Sequence, residues 1–221
     1  MKTALILAAG RGERLKPLTN IIPKPMISVE SKPLIEHHIY NLAQEGFTKI
    51  IINHAHLGDQ IRKHLKDGKA WGVHIEYSPE PPGALETGGG IFNALPLLGK
   101  EPFLCLNADL YTDMNFSKIS LISGSLAHLM LVPNPAHNNQ GDFGLDEESR
   151  ITNDNRGYTF SGISCYDPKL FLDQKPGRYS VVPLLRTLAE KKQVSGEIFK
   201  GSWADIGSKE RLQFIYKKYY F

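Results

Sequence analysis

The sequence carries only two cysteines, Cys105 and Cys165. Neither belongs to a C-x-x-C pair or a His/Cys spacing of the metal-binding kind, so a zinc module is not indicated. Each lies inside an apolar stretch, as buried free thiols of a reducing compartment do. The N-terminal M-K-T-A-L-I-L-A-A-G-R-G is too short for a membrane span and runs into charge without a cleavage site, which predicts a soluble cytoplasmic protein with no membrane partner. Concentrated positive charge is also missing, because the net charge of +3 is spread along the chain. That argues against nucleic acid as a partner, since neutralising a duplex needs a basic stripe. Neither an internal repeat nor a linker is found.

What the chain does have is 41% hydrophobic and 22% charged residues over 221 positions, enough for one full core. A single domain over 1–221 is therefore expected. Residues Ala4 to Ala8 form a continuous apolar run ending at glycines, the pattern of a central parallel strand. Leu34, Ile35, Ile39 and Leu42 recur at helical spacing up to Gly46, and Ile50 to Ile52 make a second strand. The alternation continues with a helix around Leu57, Ile61 and Leu65, a strand from Val73 to Tyr77, a helix opening at Thr87, and a strand from Phe103 to Leu106. Later strands are expected at Leu126 to Val132, at Tyr158 to Cys165 and through Trp203. Helices are expected around Val182, Leu185 and Leu188, and around Leu212, Ile215 and Tyr219. The fold class is α/β: a Rossmann-like, doubly wound, mostly parallel mixed sheet flanked by helices.

The first strand leads into Leu7-Ala8-Ala9-Gly10-Arg11-Gly12-Glu13-Arg14-Leu15, at the place where an open α/β sheet holds its ligand. Gly10 and Gly12 allow a sharp turn and bring backbone N–H groups close to phosphate oxygens. Leu15 replaces the third glycine of a dinucleotide fingerprint, and no G-x-x-x-x-G-K-[ST] loop is present, so neither a dehydrogenase nor a P-loop enzyme is supported. Arg11 and Arg14 supply planar forks for a polyphosphate, and Lys24 supplies a compact charge. Pro25 should keep Lys24 extended and out of helix. An ordinary β-α turn with solvated charges is the competing reading, and only the combination of features outweighs it.

Asp109 follows the Phe103 to Leu106 strand, and Asp205 follows Trp203 in W-A-D-I-G. Either serves as a turn residue or as a carboxylate for magnesium, an ion that needs one or two protein carboxylates beside phosphate oxygens. Asp113 reads as a structural turn residue. Leu85-Glu86-Thr87-Gly88-Gly89-Gly90 opens a helix with small residues that leave room for a ligand or for close packing.

The run G-x-G-x-R-L-x-P-L-T at 10–19, followed by Pro23-Lys24-Pro25, resembles the signature of the sugar nucleotidyltransferases. The resemblance implies that the loop and Arg14 cradle the nucleotide phosphates, that Lys24 contacts the reacting phosphates, and that Asp109 and Asp205 together hold Mg²⁺. It also implies a base lying between Ala8, Ala9 and Gly10 on one side and Glu86, Thr87 and Gly88 on the other. Arg11, Gly12, Glu80 and Asn107 complete the expected nucleotide-binding set.

Further stretches at 52–61, 85–90, 126–135, 141–143 and 160–163 resemble the N-acetylmuramate-1-phosphate uridylyltransferases of cell-wall recycling across nearly the whole chain. UTP and N-acetylmuramic acid 1-phosphate are the substrates this implies, with mannose-1-phosphate guanylyltransferase as the rival. The expected halves are about 1–110 for the nucleotide and about 111–221 for the sugar, in a monomer or weak homo-oligomer. Many relatives have Asn in an N-x-G-I segment where this chain has Phe160-Ser161-Gly162-Ile163, so their sugar contacts are not carried over. Gly141, Asp142, Asp154 and Ser161 are expected on the sugar side. No residue is assigned to the sugar's lactyl carboxylate.

Overall fold

The computed structural model describes residues 2–220, with side chains described for 2–217. Tyr219 thus lies in a described helix but outside the described side chains.

In chain order the strands are β1 (Lys2–Leu7), β2 (Ser28–Val29), β3 (Lys32–Pro33), β4 (Phe47–His54), β5 (His74–Pro79), β6 (Phe103–Asn107), β7 (Leu110–Thr112), β8 (Ala127–Pro133), β9 (Gly144–Leu145), β10 (Ile151–Thr152), β11 (Tyr158–Tyr166), β12 (Val194–Ile198) and β13 (Trp203–Asp205). The helices are α1 (Leu34–Gln44), α2 (Gly58–Leu65), α3 (Glu86–Leu98), α4 (Val182–Glu190) and α5 (Lys209–Tyr220). A seven-stranded sheet has the order β12-β8-β11-β6-β1-β4-β5. All its pairings are parallel except the two made by β11, which runs against β6 and β8. This is the mostly parallel mixed sheet that the sequence pattern predicts.

Continuous apolar strands demand cover on both faces. On one face, α1 and α2 bury Ile35, Ile39, Leu42, Ile61 and Leu65 against Ala4, Ile6, Ile50, Ile52 and Leu106. On the other, α3 and α4 bury Ile91, Ala94, Leu185 and Leu188 against Leu5, Ile51, Phe103 and Leu129. The alternation of Leu5 and Ile6 between these two cores is the two-residue period of a strand.

A third, smaller core joins parts of the chain that are far apart in sequence. Leu15, Ile27, Val29 and Leu34 pack with Ile206, Leu212 and Ile215. Burial of these side chains fixes the loop after β1 against the segment after β13, each well-buried aliphatic contributing roughly 1.5–3 kcal/mol.

From β1 the chain adds β4 and then β5 on one side, and crosses back to place β6 on the other. The order therefore reverses between β1 and β6. Their carboxyl ends, Leu7 and Asn107, are register partners, and a crevice opens beyond them.

Candidate active site

The loop leaving β1 turns at Gly12, whose φ of +70° lies in the left-handed region. The Thr19 hydroxyl closes this turn by donating to Gly12 O at 2.9 Å. A Cβ on Gly12 would come within 2.9 Å of the Thr19 methyl, whereas one on Gly10 would meet nothing within 4 Å. Gly12 thus shapes the loop and Gly10 leaves it open to a ligand. Arg11 leans on Glu13 at 2.8 Å along the exposed rim.

The cleft beyond β1 and β6 has a volume near 780 Å³. Ala8, Ala9, Gly10, Arg11, Gly12, Lys24, Glu80, Glu86, Thr87, Asn107 and Asp109 all line it, together with Asn53, His56 and Arg178. Its floor is a hydrogen-bonded chain. Ala8 N donates to Asn53 Oδ1 at 2.5 Å, Asn53 Nδ2 donates to Glu80 Oε1 at 2.6 Å, and Leu85 N donates to Glu80 Oε2 at 2.7 Å. Burial pushes the Glu80 carboxyl above its ordinary range, and the two donors hold the rise back. Asn107 lies against Gly162, where β11 bulges and a Cβ would be 2.5 Å from the amide nitrogen.

Lys24 stands at the mouth of this cleft and forms an ion pair with Asp109. The side chains are only 13% and 24% exposed, so the pair is poorly screened. The expected extended conformation at Lys24 is corrected: a single 3₁₀ turn, Lys24–Met26, begins there. Proline is tolerated in the first turn of a helix, where its missing N–H costs nothing, and here the extended residue is Pro23.

Asp205 is brought to the neighbourhood by the ribbon of β7 and β13, in which Asp205 is the register partner of Leu110 and Ile206 N donates to Asp109 O at 2.8 Å. Asp113 accepts from Ser202 N at 2.8 Å and clamps the same ribbon. The two aspartates face different clefts, however. Asp109 lines the first, while Asp205 lines a second of about 540 Å³ walled by Phe199, Trp203 and Phe214. There the Asp205 carboxylate accepts from Arg211 Nη1 at 2.7 Å to each oxygen, with His137 Nε2 at 3.3 Å.

Arg14 does not line the first cleft; it is exposed, and its guanidinium lies over Gly207 beside that of Arg211. Gly88 is also absent from the lining. It is buried in α3, its N–H donates to Tyr179 O at 2.9 Å, and a Cβ would strike the Tyr179 ring at 2.5 Å. The four sugar-side positions line neither cleft. The Asp142 carboxylate accepts from Phe160 N and Asn138, Gly141 is enclosed by Arg156 and Asn134, Ser161 accepts from Ile163 N, and Asp154 is exposed.

Among the described residues, no group of three or more His, Cys, Asp or Glu is arranged to hold a metal on its own. A magnesium site of two carboxylates completed by phosphate oxygens does not require one. Asp109, in the turn between β6 and β7, and Asp205, at the end of β13, are hard oxygen donors of the kind magnesium takes, each now paired with a cationic side chain, though they open onto different clefts.

The match of the nucleotidyl transferase family model over residues 3–219 spans the sheet, the glycine loop and both aspartates. The chain is a nucleotidyltransferase. This nucleotidyltransferase is 49% identical to the N-acetylmuramate alpha-1-phosphate uridylyltransferase of Neisseria meningitidis serogroup B, over 95% of each chain. It is 30% identical to the enzyme of the same name from Caulobacter vibrioides, over 93% of this chain and 92% of that one. Its fold matches that of HddC from Yersinia pseudotuberculosis, solved with GMP-PN, with a TM-score of 0.81 at 24% identity over 99% of each chain.

Sequence reasoning missed Asn53, Arg178 and Arg211. Asn53 left a trace, a polar residue ending an apolar β-branched run, whereas the two arginines are placed by tertiary contacts that no local pattern encodes.

Proposed function

We propose that this nucleotidyltransferase moves UMP from UTP to N-acetylmuramic acid 1-phosphate, releasing pyrophosphate, as a step of bacterial cell-wall recycling. The observation that carries the reading is the convergence of the glycine loop, Lys24 and Asp109 on one cleft, in a chain so similar to enzymes bearing that name. The first half of the chain takes the nucleotide and the second half the sugar.

In this reading the triphosphate lies along the N–H groups of the Gly10 to Gly12 loop, and the base rests over Ala8 and Ala9, facing Glu80, Glu86 and Thr87. A phosphate oxygen of the acceptor attacks the α-phosphorus of UTP. The bond from that phosphorus to the bridging oxygen breaks in line, and pyrophosphate leaves with the charge. The acceptor phosphate is already anionic near neutrality, so no general base is needed. Lys24 holds the phosphate that changes geometry, and the loop holds the rest in line with it. Asp109 and Asp205 would hold Mg²⁺, which supplies positive charge at the reacting oxygens. Arg14, whose guanidinium lies beside Gly207, lines neither cleft in the free protein.

The test is a pyrophosphate-release assay with Mg²⁺, UTP or GTP, and a panel of sugar 1-phosphates. Release is expected with UTP and N-acetylmuramic acid 1-phosphate. Release confined to GTP with mannose 1-phosphate would replace this reading with that of a guanylyltransferase.

A further inference from the structure

The second cleft sets Arg211, Lys200 and His137 against two acids, Asp205 and Glu210, so positive charge is in excess once Asp205 is given to a metal. Arg211 points into it from α5, and Lys200 and His137 also line it. Arg14 lies over Gly207, where a Cβ would fall 3.1 Å from its Nη2 and 2.0 Å from Nη2 of Arg211. The glycine thus lets two guanidinium groups share one stretch of backbone. The Arg211 side chain is 19% exposed, and its carboxylate partner is Asp205. In the proposed reaction Asp205 turns to magnesium, which takes from the guanidinium the one carboxylate it is hydrogen-bonded to and leaves Glu210 as the remaining acid of the cleft lining. A largely buried cation that loses a hydrogen-bonded counter-charge is costly, and an incoming carboxylate would restore one.

We propose that Arg211 binds the carboxylate of the acceptor sugar, so that the residue neutralising Asp205 in the free enzyme becomes the residue that selects a carboxylate-bearing substrate. This inference rests on the reading given under Proposed function and names the recognition element that reading lacks. The geometry suits it. Nη1, which now donates to both Asp205 oxygens, can turn with the rest of its planar fork to a lactyl carboxylate. Trp203 and Phe199 give flat apolar walls for a sugar face, and Trp203 is fixed by donating Nε1–H to Ser161 O at 3.0 Å. The walls of the two clefts are tied together where Ile206 N, next to Asp205, donates to Asp109 O at 2.8 Å. In this proposal a sugar in the second cleft directs its phosphate across that backbone contact toward the nucleotide in the first.

The experiment compares two acceptors, N-acetylmuramic acid 1-phosphate and N-acetylglucosamine 1-phosphate, which lacks only the lactyl ether. The kcat/KM of each is measured with UTP and Mg²⁺ for the wild type and for Arg211→Gln. Calorimetry then measures binding of N-acetylmuramic acid 1-phosphate to both proteins with Mg²⁺ and a non-hydrolysable UTP analogue, free of turnover. Arg211→Gln is expected to lower the muramyl-to-glucosaminyl ratio about 10- to 100-fold, the scale of one lost charge-assisted hydrogen bond. Affinity for the muramyl compound should fall by a similar factor. If both acceptors lose equally, Arg211 merely props Asp205 and the inference is overturned; an unchanged ratio overturns it as well. A wild-type enzyme that releases no pyrophosphate from the muramyl acceptor refutes the parent reading instead, whatever the variant does.

Discussion

Lys24 and Asp109 are 85 residues apart in the chain and form an ion pair in the fold. Without magnesium each is the other's counter-ion. When the carboxylate goes to a metal, the ammonium is free to follow a phosphate. Lys24→Ala should therefore do two opposite things. It removes a competitor from Asp109, so magnesium binding, followed by calorimetry, should not weaken. It also removes positive charge from the transition state, so kcat should fall by about 10²-fold or more even at saturating Mg²⁺ and UTP. A variant whose kcat recovers when Mg²⁺ is raised would show that Lys24 serves only to hold Asp109. Both residues could be singled out because proline and a strand end leave local marks that a family resemblance then weighted, but nothing local predicted that they pair. Arg211 could not, since an arginine on an amphipathic helix looks the same whether it meets solvent or Asp205.

Helix α3 shows where local pattern misleads at the scale of an element. Three consecutive glycines at its start read first as space for a ligand and second as close packing, and the structure gives each glycine a packing partner. Gly88 lies against Tyr179, and Gly90 lies against Glu80 and Asn53 of the cleft floor. Gly89 lies beneath the 177–179 segment, where a Cβ would come within 2.1 Å of Gly177 O. This packing still matters to the cleft, because the same segment carries Arg178, which pairs with Glu86 at 3.2 Å on the rim. Gly89→Ala should push the segment away, costing about 1–3 kcal/mol as overpacking does. The expected result is a lower Tm and a raised KM for UTP, with kcat less affected; an unaltered Tm would mean that the segment yields without strain. The other elements emerged from the sequence in proportion to the length of their apolar runs. The central strands β1, β4 and β6 are continuous apolar runs. Strand β12 was missed, because V-S-G-E-I carries a glycine and a charge and lacks a continuous apolar run, although its first three residues are buried at the sheet edge.

The fold class and the position of the crevice follow from the order of apolar runs along the chain, and the convergence of the loop with the 205–211 segment follows from the small third core. What no run reveals is the protonation state imposed by burying the whole. His38, His54 and His128 are all buried, and each is held below the ordinary histidine range chiefly by loss of solvent. His38, flanked also by His37, is pushed down to about 4. In the unfolded chain these imidazoles take up protons near pH 6.5. Below that value the unfolded state binds more protons than the folded one, so stability is complete above pH 6.5 and is lost as pH falls toward the folded values. Each histidine adds a slope of up to about 1.4 kcal/mol per pH unit. Glu45 and Glu80, raised by burial, act in the other sense: their contribution is present below the free carboxyl range and fades as pH rises through their folded values. Comparison with a variant separates the two effects. His128 is the cleanest site, since its ring contacts Ser195 Oγ at 2.9 Å in the sheet, away from both aspartates. In His128→Gln, with EDTA present throughout, the fall in Tm between about pH 7 and about pH 5 should be shallower than in the wild type. Parallel curves for the two proteins would mean that His128 accepts a proton in place, without unfolding.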